Sequence, residues 1–262
     1  MGHSVGFVPT MGALHEGHLS LVKRAKKEND LAVISIFVNP IQFNNPADLE
    51  KYPRNLERDL DLLRPLLNEN DLVFAPCVEE MYPEADDRTF AFGEMESVME
   101  GQFRPGHFNG VAIVVDLLFS IVGQCRSYFG EKDFQQLAII RRLVAGERHP
   151  VEVVACETIR EADGLAMSSR NVRIPAALRP SAGVIYKALQ QAATEAGKRP
   201  PQEILRDITR MINNTPGFST EYALLADEKS LAPIEKWGDS DQIRCFIAAY
   251  AGEVRLIDNL PL

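Results

Sequence analysis

Apolar, strand-like runs that alternate with helix-like patterns constrain the fold of this chain more than any other feature of its sequence. The runs are rich in β-branched residues, and most are followed by a segment with helical periodicity. This alternation indicates an α/β fold, in which helices cover both faces of a parallel sheet. The predicted strands are Val5–Val8, Leu31–Phe37, Leu72–Ala75, Ser127–Gly130 and Val151–Ala155, and the predicted helices are His18–Lys27, Asn55–Asn68, Asn109–Val122 and Asp133–Ala145.

Beyond Thr158 the order of the elements changes. Two helical patterns bounded by prolines come first, and three strand-like runs follow. Because this order is typical of α+β domains, we expect domains at residues 1–158 and 159–262, the second one smaller. In the second domain the predicted helices are Ala176–Gly197 and Gln202–Asn213, and the predicted strands are Glu221–Ala226, Gln242–Tyr250 and Val254–Ile257, with a hairpin loop at 251–253.

Charge and hydropathy limit the partners. The chain has 28 Lys and Arg against 37 Asp and Glu, a net charge of −9, so a broad basic face for nucleic acid is not expected. The longest apolar stretch, Val111–Val122, is too short to cross a bilayer, and the first residues lack a signal-peptide pattern. We therefore expect a cytoplasmic protein that binds neither nucleic acid nor membrane. The four cysteines form no Cys-x-x-Cys pair, which argues against a zinc ribbon.

The segment from Pro9 to His18, PTMGALHEGH, joins the first predicted strand to the first helix. In open α/β folds, ligands bind at the carboxyl ends of strands, where helix N-termini present free N–H groups. Gly12 and Gly17 would let the backbone approach a phosphate, and the imidazoles of His15 and His18 could stabilise negative charge that develops on it. The sequence therefore predicts a phosphate site in this turn.

Two other interpretations of this turn are open. The histidines could simply cap the helix, although two histidines and two glycines in one strand-to-helix turn favour a ligand site. They could also bind zinc, but the metalloprotease spacing is His-Glu-x-x-His, and His15-Glu16-Gly17-His18 is one residue shorter.

A second polar cluster follows the strand predicted at 127–130. Lys132 suits phosphate oxygens, Asp133 could cap the helix or accept a ribose hydroxyl, and Gln136 lies one turn later on the same face as Lys132. The alternative is a solvated, well-capped helix start.

A third cluster, EADGLAMSSRN at 161–171, suggests a mobile loop that contacts a polyphosphate. Its donors would be the hydroxyls of Ser168 and Ser169 and the guanidinium of Arg170. A Ser-rich helix cap is the alternative. Nearby, FVNPIQF at 37–43 ends a strand with amide side chains, which suit an uncharged, hydroxyl-rich ligand.

Taken in order, these segments resemble the pantothenate synthetase family, whose members are pantoate–β-alanine ligases. The resemblance implies a Rossmann-like fold of the nucleotidyltransferase superfamily that includes class I aminoacyl-tRNA synthetases, with a smaller C-terminal lid domain. It also implies that ATP adenylates pantoate with release of pyrophosphate, and that the amine of β-alanine then displaces AMP to give pantothenate. The matching segments are PTMGALHEGH at 9–18, FVNPIQF at 37–43, YPR at 52–54, RPGHFNGV at 104–111, GEKDFQQL at 130–137 and READGLAMSSRN at 160–171.

The resemblance also implies roles for individual residues, with Mg²⁺ entering on ATP and held mainly by phosphate oxygens, and it suggests a homodimer. The implied catalytic residues are His15, His18, Lys132, Ser168, Ser169 and Arg170. The implied ATP-binding residues are Met11, Gly12, Ala13, Leu14, His15, Glu16, Gly17, His18, Gly130, Glu131, Lys132, Asp133, Ile159, Met167, Ser168, Ser169 and Arg170. The implied substrate-binding residues are Asn39, Gln42 and Gln136.

The chain departs from the family pattern at three points. Family members usually carry a helical segment before the first strand, so we expect such a segment to be missing here. Ile113 and Phe134 stand where Thr and Tyr are common, and each change removes a hydroxyl near the expected site. Because neither change removes an implied catalytic group, we expect activity to persist.

Two other functions are open on the sequence alone. A nucleotidyltransferase could transfer a nucleotide and stop there, but the amides at 37–43 replace the basic pocket that a phosphorylated acceptor would need. A non-catalytic nucleotide sensor is the other possibility. We would expect such a sensor to have lost His18, Lys132 or Arg170, and all three are present.

Overall fold

Parallel strands form the sheet of the first unit in the computed structural model, which describes residues 2–262. The strands are β1 (Val5–Thr10), β2 (Leu31–Ile36), β3 (Leu72–Phe74), β4 (Cys125–Gly130) and β5 (Val151–Cys156). They lie in the order β3-β2-β1-β4-β5, so the chain builds outward from β1 to one edge and then to the other. This is the strand order of doubly wound nucleotide-binding folds.

Neighbouring side chains of β1 pack against helices on opposite faces of this sheet. The helices up to β5 are α1 (Glu16–Glu28), α2 (Pro46–Glu50), α3 (Leu56–Leu63), α4 (Val78–Met81), α5 (Glu100–Phe103), α6 (His107–Val122) and α7 (Phe134–Glu147). Val8 is buried in one cluster with Val22 of α1. Phe7 points to the other face, where its ring centroid lies 6.3 Å from that of Phe119 in α6. The predicted parallel sheet with helices on both faces is confirmed.

An antiparallel sheet and two helices form the second unit. Its elements are α8 (Val184–Glu195), α9 (Pro201–Asn213), β6 (Phe218–Asp227), β7 (Ile243–Ala251) and β8 (Val254–Pro261). The strands lie in the order β6-β7-β8. Ile204, Ile208 and Ile212 recur every four residues along α9 and belong to the same buried cluster as the sheet residues. The predicted smaller α+β part is confirmed, including the hairpin, in which Ala251 pairs with Val254.

The division between the units is not a single cut in the chain. One unit holds the residues up to Glu131 together with Gln135–Glu157, and the other holds Lys132–Phe134 together with Thr158–Leu262. The short segment from Lys132 therefore packs with the C-terminal elements, although it directly follows β4. Across residues 2–262, no helix is both long and apolar enough to cross a membrane.

Some predicted boundaries are wrong. The helix predicted at 176–197 begins only at Val184, because residues before it form short 3-10 turns. Pro180 lies in one of these turns and has no N–H to continue an α-helix. The helix predicted at 55–68 ends at Leu63. The helices α2, α4 and α5 were not predicted, since four or five residues are too few to show a helical period.

Candidate active site

The strand order places a crevice beside the carboxyl end of β1. The order reverses between β1 and β4, and the pairing of Phe7 with Ser127 puts the strand ends Thr10 and Gly130 level with each other. In folds of this type such a reversal is where ligands bind. The turn at residues 11–15 follows Thr10 directly and therefore lies at the mouth of the crevice.

Two histidines close the N-terminus of α1 by a reciprocal cap. The backbone N–H of Gly17 donates to Nδ1 of His15 at 3.2 Å, and the backbone N–H of His15 donates to Nδ1 of His18 at 3.4 Å. The ring centroids lie 4.1 Å apart. Because Nδ1 accepts a hydrogen bond in both rings, each neutral imidazole carries its proton on Nε2. Capping and ligand binding are thus compatible, since they use different nitrogens of the same ring.

The helix itself begins at Glu16, whereas His18 was predicted as its start. The difference has a physical reason, because a histidine serves here as the cap in place of the usual Ser, Thr, Asp or Asn. The apolar pattern of α1 gives no sign of the two extra residues.

The backbone N–H groups of the turn are already bonded within the protein. Gly12 donates to Oγ1 of Thr10 at 3.2 Å. Ala13 and Leu14 donate to the carboxylate of Asp59 at 2.9 and 2.8 Å. The expectation of free backbone donors for a phosphate is therefore not met at these residues. An anion at this turn would be bound by side chains rather than by the main chain.

Asp59 of α3 holds the turn in an uncommon conformation. Gly12 and Ala13 have φ angles of 76° and 50°, in the left-handed region that costs a residue with a Cβ about 1–2 kcal/mol. The carboxylate of Asp59, a residue only 2% exposed, accepts the two charge-assisted hydrogen bonds that stabilise this conformation. Sequence reasoning missed Asp59. One signal in the sequence could have revealed it. Asp59 lies four residues before the buried Leu63, so it occupies a position on the apolar face of α3 where a hydrophobic residue is expected.

Replacing Gly12 with alanine should lower the free energy of unfolding by about 1–2 kcal/mol, because the residue must keep a positive φ. In addition, a Cβ at this position would lie 2.9 Å from Oδ2 of Asp59. Chemical denaturation measures the loss. Gly146→Ala is the matched control, since Gly146 lies in α7 with nothing within 4 Å of its built Cβ. If Gly12→Ala is as stable as this control, the assignment of strain to this turn is wrong.

The turn after β2 is held by α6. Asn39 donates through Nδ2 to Oε1 of Gln42 at 3.1 Å and to the carbonyl of Gly110 at 3.0 Å. His107 donates through Nδ1 to the carbonyl of Gln42 at 2.8 Å. Gly110 packs so closely that a Cβ there would lie 2.7 Å from Cα of Gln42. The RPGHFNGV segment therefore supports Gln42. Sequence reasoning did not predict this supporting role for His107.

Gln42 also joins the two turns. Its Nε2 lies 3.0 Å from Sδ of Met11, so a predicted substrate residue and a predicted ATP residue are in contact. Gln42 is 7% exposed and Asn39 only 1%. A direct contact between Asn39 and a ligand would have to replace one of the hydrogen bonds that Asn39 makes within the protein.

The segment after β4 is held by the last strand of the C-terminal unit. Asn259 of β8 donates to the carbonyl of Lys132 at 2.9 Å. The guanidinium of Arg244 lies 3.9 Å from the centroid of the Phe134 ring, within cation–π distance. Nζ of Lys132 lies 3.7 Å from Oδ1 of Asp133. Phe134 thus packs under a buried arginine, a contact that needs no phenolic hydroxyl.

Two consecutive glutamines at the start of α7 differ in their surroundings. Gln135 is buried and donates to the carbonyls of Met95 and Val98, both at 2.8 Å. Gln136, the predicted substrate residue, is half-buried. Gln135 therefore stabilises the chain before α5, and Gln136 stays the candidate for ligand contact.

Residues 160–171 form a turn that is braced by ion pairs and a β-bridge. Arg160 forms a β-bridge with Ala166 across the turn. Two acidic residues of the turn form ion pairs with Arg179, which follows the turn in the sequence. Arg160, at the start of the turn, forms an ion pair with Asp258 of β8. The local composition of the segment does not show these partners, because they are distant in sequence. The ion pairs are Arg160–Asp258, Arg179–Glu161 and Arg179–Asp163.

The braced turn brings several predicted ATP residues together. The backbone N–H of Met167 donates to the carbonyl of Ile159 at 2.9 Å. Oγ of Ser168 accepts a hydrogen bond from the backbone N–H of Arg170 at 3.2 Å, and Ser169 lies between them, half-buried.

Within the described part of the chain, no three His, Cys, Asp or Glu side chains lie close enough together to hold a metal ion.

Comparison with known proteins identifies the family. A family model described as pantoate-beta-alanine ligase matches residues 1–261. The pantothenate synthetase of Phocaeicola vulgatus is 50% identical over 260 residues, which cover 99% of this chain and 92% of that one. The chain belongs to the pantoate–β-alanine ligase family. The sequence-based predictions of the family, the fold class and a ligase are therefore confirmed.

Solved structures of the pantoate–β-alanine ligase family agree with this fold. The pantothenate synthetase of Thermus thermophilus is 47% identical with a TM-score of 0.92, over 98% of this chain and 92% of that one. The ligase of Francisella tularensis, in complex with beta-gamma ATP and beta-alanine, is 38% identical with a TM-score of 0.81, over 98% and 89% of the two chains. Ile113 lies buried in α6.

Proposed function

We propose that this chain condenses pantoate with β-alanine to pantothenate through a pantoyl adenylate. A carboxylate oxygen of pantoate attacks the α-phosphorus of ATP, the bond from that phosphorus to the bridging oxygen breaks, and pyrophosphate leaves. The amine nitrogen of β-alanine then attacks the carbonyl carbon of the adenylate. The bond from that carbon to the phosphate oxygen breaks, AMP leaves, and the nitrogen loses a proton.

The reciprocal histidine cap at the mouth of the β1–β4 crevice carries this proposal. Adenylation needs positioning and charge stabilisation more than covalent catalysis. His15 and His18 supply Nε2–H donors at a fixed place, because the cap holds both rings by Nδ1. In this proposal the two N–H groups stabilise the negative charge that grows on the oxygens of the α-phosphate and of the pyrophosphate.

The remaining roles follow the family pattern. Lys132, Ser168, Ser169 and Arg170 act on the phosphates, and Ile159 borders the adenine. Gln42 and Gln136 hold pantoate, with Gln42 also near β-alanine, and Asn39, the third implied substrate residue, orients Gln42. The other nucleotide-binding residues are Met11, Gly12, Ala13, Leu14, Glu16, Gly17, Gly130, Glu131, Asp133 and Met167. Mg²⁺ enters as the ATP complex, since phosphate oxygens are the hard ligands that this ion prefers.

The proposal extends to the organisation of the protein. Residues 1–158 would bind nucleotide and pantoate, and residues 159–262 would act as a lid. Family resemblance supports a cytoplasmic homodimer, and the mass in solution measured by light scattering tests the dimer.

Assays with one substrate omitted at a time test the reaction. With ATP, Mg²⁺, pantoate and β-alanine present, we expect AMP and pantothenate in equal amounts. Omission of any substrate should abolish pantothenate. ATP turnover that is indifferent to pantoate, or a stable nucleotidylated product that needs no amine, would contradict the proposal and favour a different nucleotidyltransferase.

A further inference from the structure

Tyr82, which directly follows α4, reaches the turn after β2. Its hydroxyl lies 2.8 Å from Oδ1 of Asn39, and its ring centroid lies 6.0 Å from that of Phe37. Burial raises the pKa of Tyr82 far above its usual value, so the hydroxyl keeps its proton. Neither the nucleotide-binding segments nor the proposed substrate residues include Tyr82.

Backbone groups fix the direction of each hydrogen bond of Asn39. The N–H of Ile41 can only donate, so the atom it faces at 3.3 Å is Oδ1. The carbonyl of Gly110 can only accept, so the atom it faces at 3.0 Å is Nδ2. Because Tyr82 faces Oδ1, its hydroxyl must donate.

The polarity of Asn39 then sets the polarity of Gln42. The second N–H of Asn39 goes to Oε1 of Gln42 at 3.1 Å, which turns Nε2 of Gln42 toward Sδ of Met11. A thioether sulfur is a weak acceptor, and a ligand oxygen would replace it with a gain in bond strength. Gln42 therefore presents N–H, and not C=O, toward Met11.

We propose that Tyr82 is a positioning residue that fixes the amide orientation of Asn39 and, through it, the N–H donor of Gln42. The ligand group selected by Gln42 is an acceptor oxygen, a carboxylate or a hydroxyl of the hydroxy acid. This inference rests on the proposed function. Tyr82 should therefore affect the binding of pantoate and leave the binding of ATP unchanged.

Steady-state kinetics of Tyr82→Phe test the assignment. Loss of one neutral hydrogen bond should raise KM for pantoate about three- to tenfold, while KM for ATP stays unchanged. A purely structural role would instead move both KM values together.

Tyr128→Phe is the matched control. Its hydroxyl also makes hydrogen bonds, to Asn29 and Glu28, but at the C-terminal end of α1, about 18 Å along that helix from its capped start. We expect normal KM values for this variant. An unchanged KM for pantoate in Tyr82→Phe would overturn the assignment, and so would an equal rise in the control. Absence of any pantoate-dependent AMP release in the unmodified protein would instead overturn the proposed function, and this inference with it.

Discussion

His18→Ala should slow pyrophosphate release by about 10²–10³-fold, the usual cost of losing one donor that stabilises developing charge. The imidazole of His18 accepts the backbone N–H of His15 through Nδ1, so its ring proton lies on Nε2. In our mechanism that N–H donates to phosphate oxygens as charge moves onto them. Rapid-quench measurement of pyrophosphate with saturating ATP and pantoate, without β-alanine, isolates this step.

A second variant separates catalysis from capping at the same position. The side-chain oxygen of asparagine occupies nearly the place of Nδ1, so His18→Asn should keep the bond from the backbone N–H of His15. It cannot replace the donor on Nε2. We therefore expect His18→Asn to melt like the unmodified protein and to remain as slow as His18→Ala. Recovery of the rate in His18→Asn would show that the cap alone matters.

Lys132→Ala is expected to lower kcat/KM for ATP by about 10- to 150-fold, the equivalent of a charge-assisted hydrogen bond of about 1.5–3 kcal/mol. The substitution leaves the main chain in place, because Asn259 bonds to the carbonyl of Lys132 and not to its side chain. The effect should therefore appear in nucleotide kinetics and not in stability.

Lys187→Ala provides the control for Lys132→Ala. Lys187 is exposed on α8 and loses the same side chain. Its kcat/KM for ATP should stay at the level of the unmodified protein. If Lys132→Ala behaves like this control, the role of the ammonium group in ATP binding must be abandoned.

The fold was predictable because the information that specifies it is local. The run at 31–37 is apolar except for the buried Ser35, so this strand has no polar face, and a sheet covered on both sides can bury it. The helix α9 shows an isoleucine every four residues, and the hairpin at 251–253 has a glycine in its loop. Each of these patterns is contained within a few residues of sequence.

The candidate site was predictable in its residues but not in its contacts. The PTMGALHEGH turn was identified from its histidines and glycines, yet nothing in that segment shows that Asp59 takes two of its N–H groups. Likewise, nothing in the segment 160–171 shows that Arg179, which lies outside it, pairs with Glu161 and Asp163. Tertiary partners of this kind are set by the whole fold, so local pattern cannot give them.

The proposed mechanism depends on an oxygen atom of the acid passing to the nucleotide. We would supply pantoate labelled with oxygen-18 in its carboxylate, together with ATP and β-alanine, and analyse the AMP by mass spectrometry. An acyl adenylate leaves one carboxylate oxygen on phosphorus when the amine displaces AMP, so we predict AMP that carries a single labelled oxygen. AMP without label, formed alongside pantothenate, would contradict the mechanism.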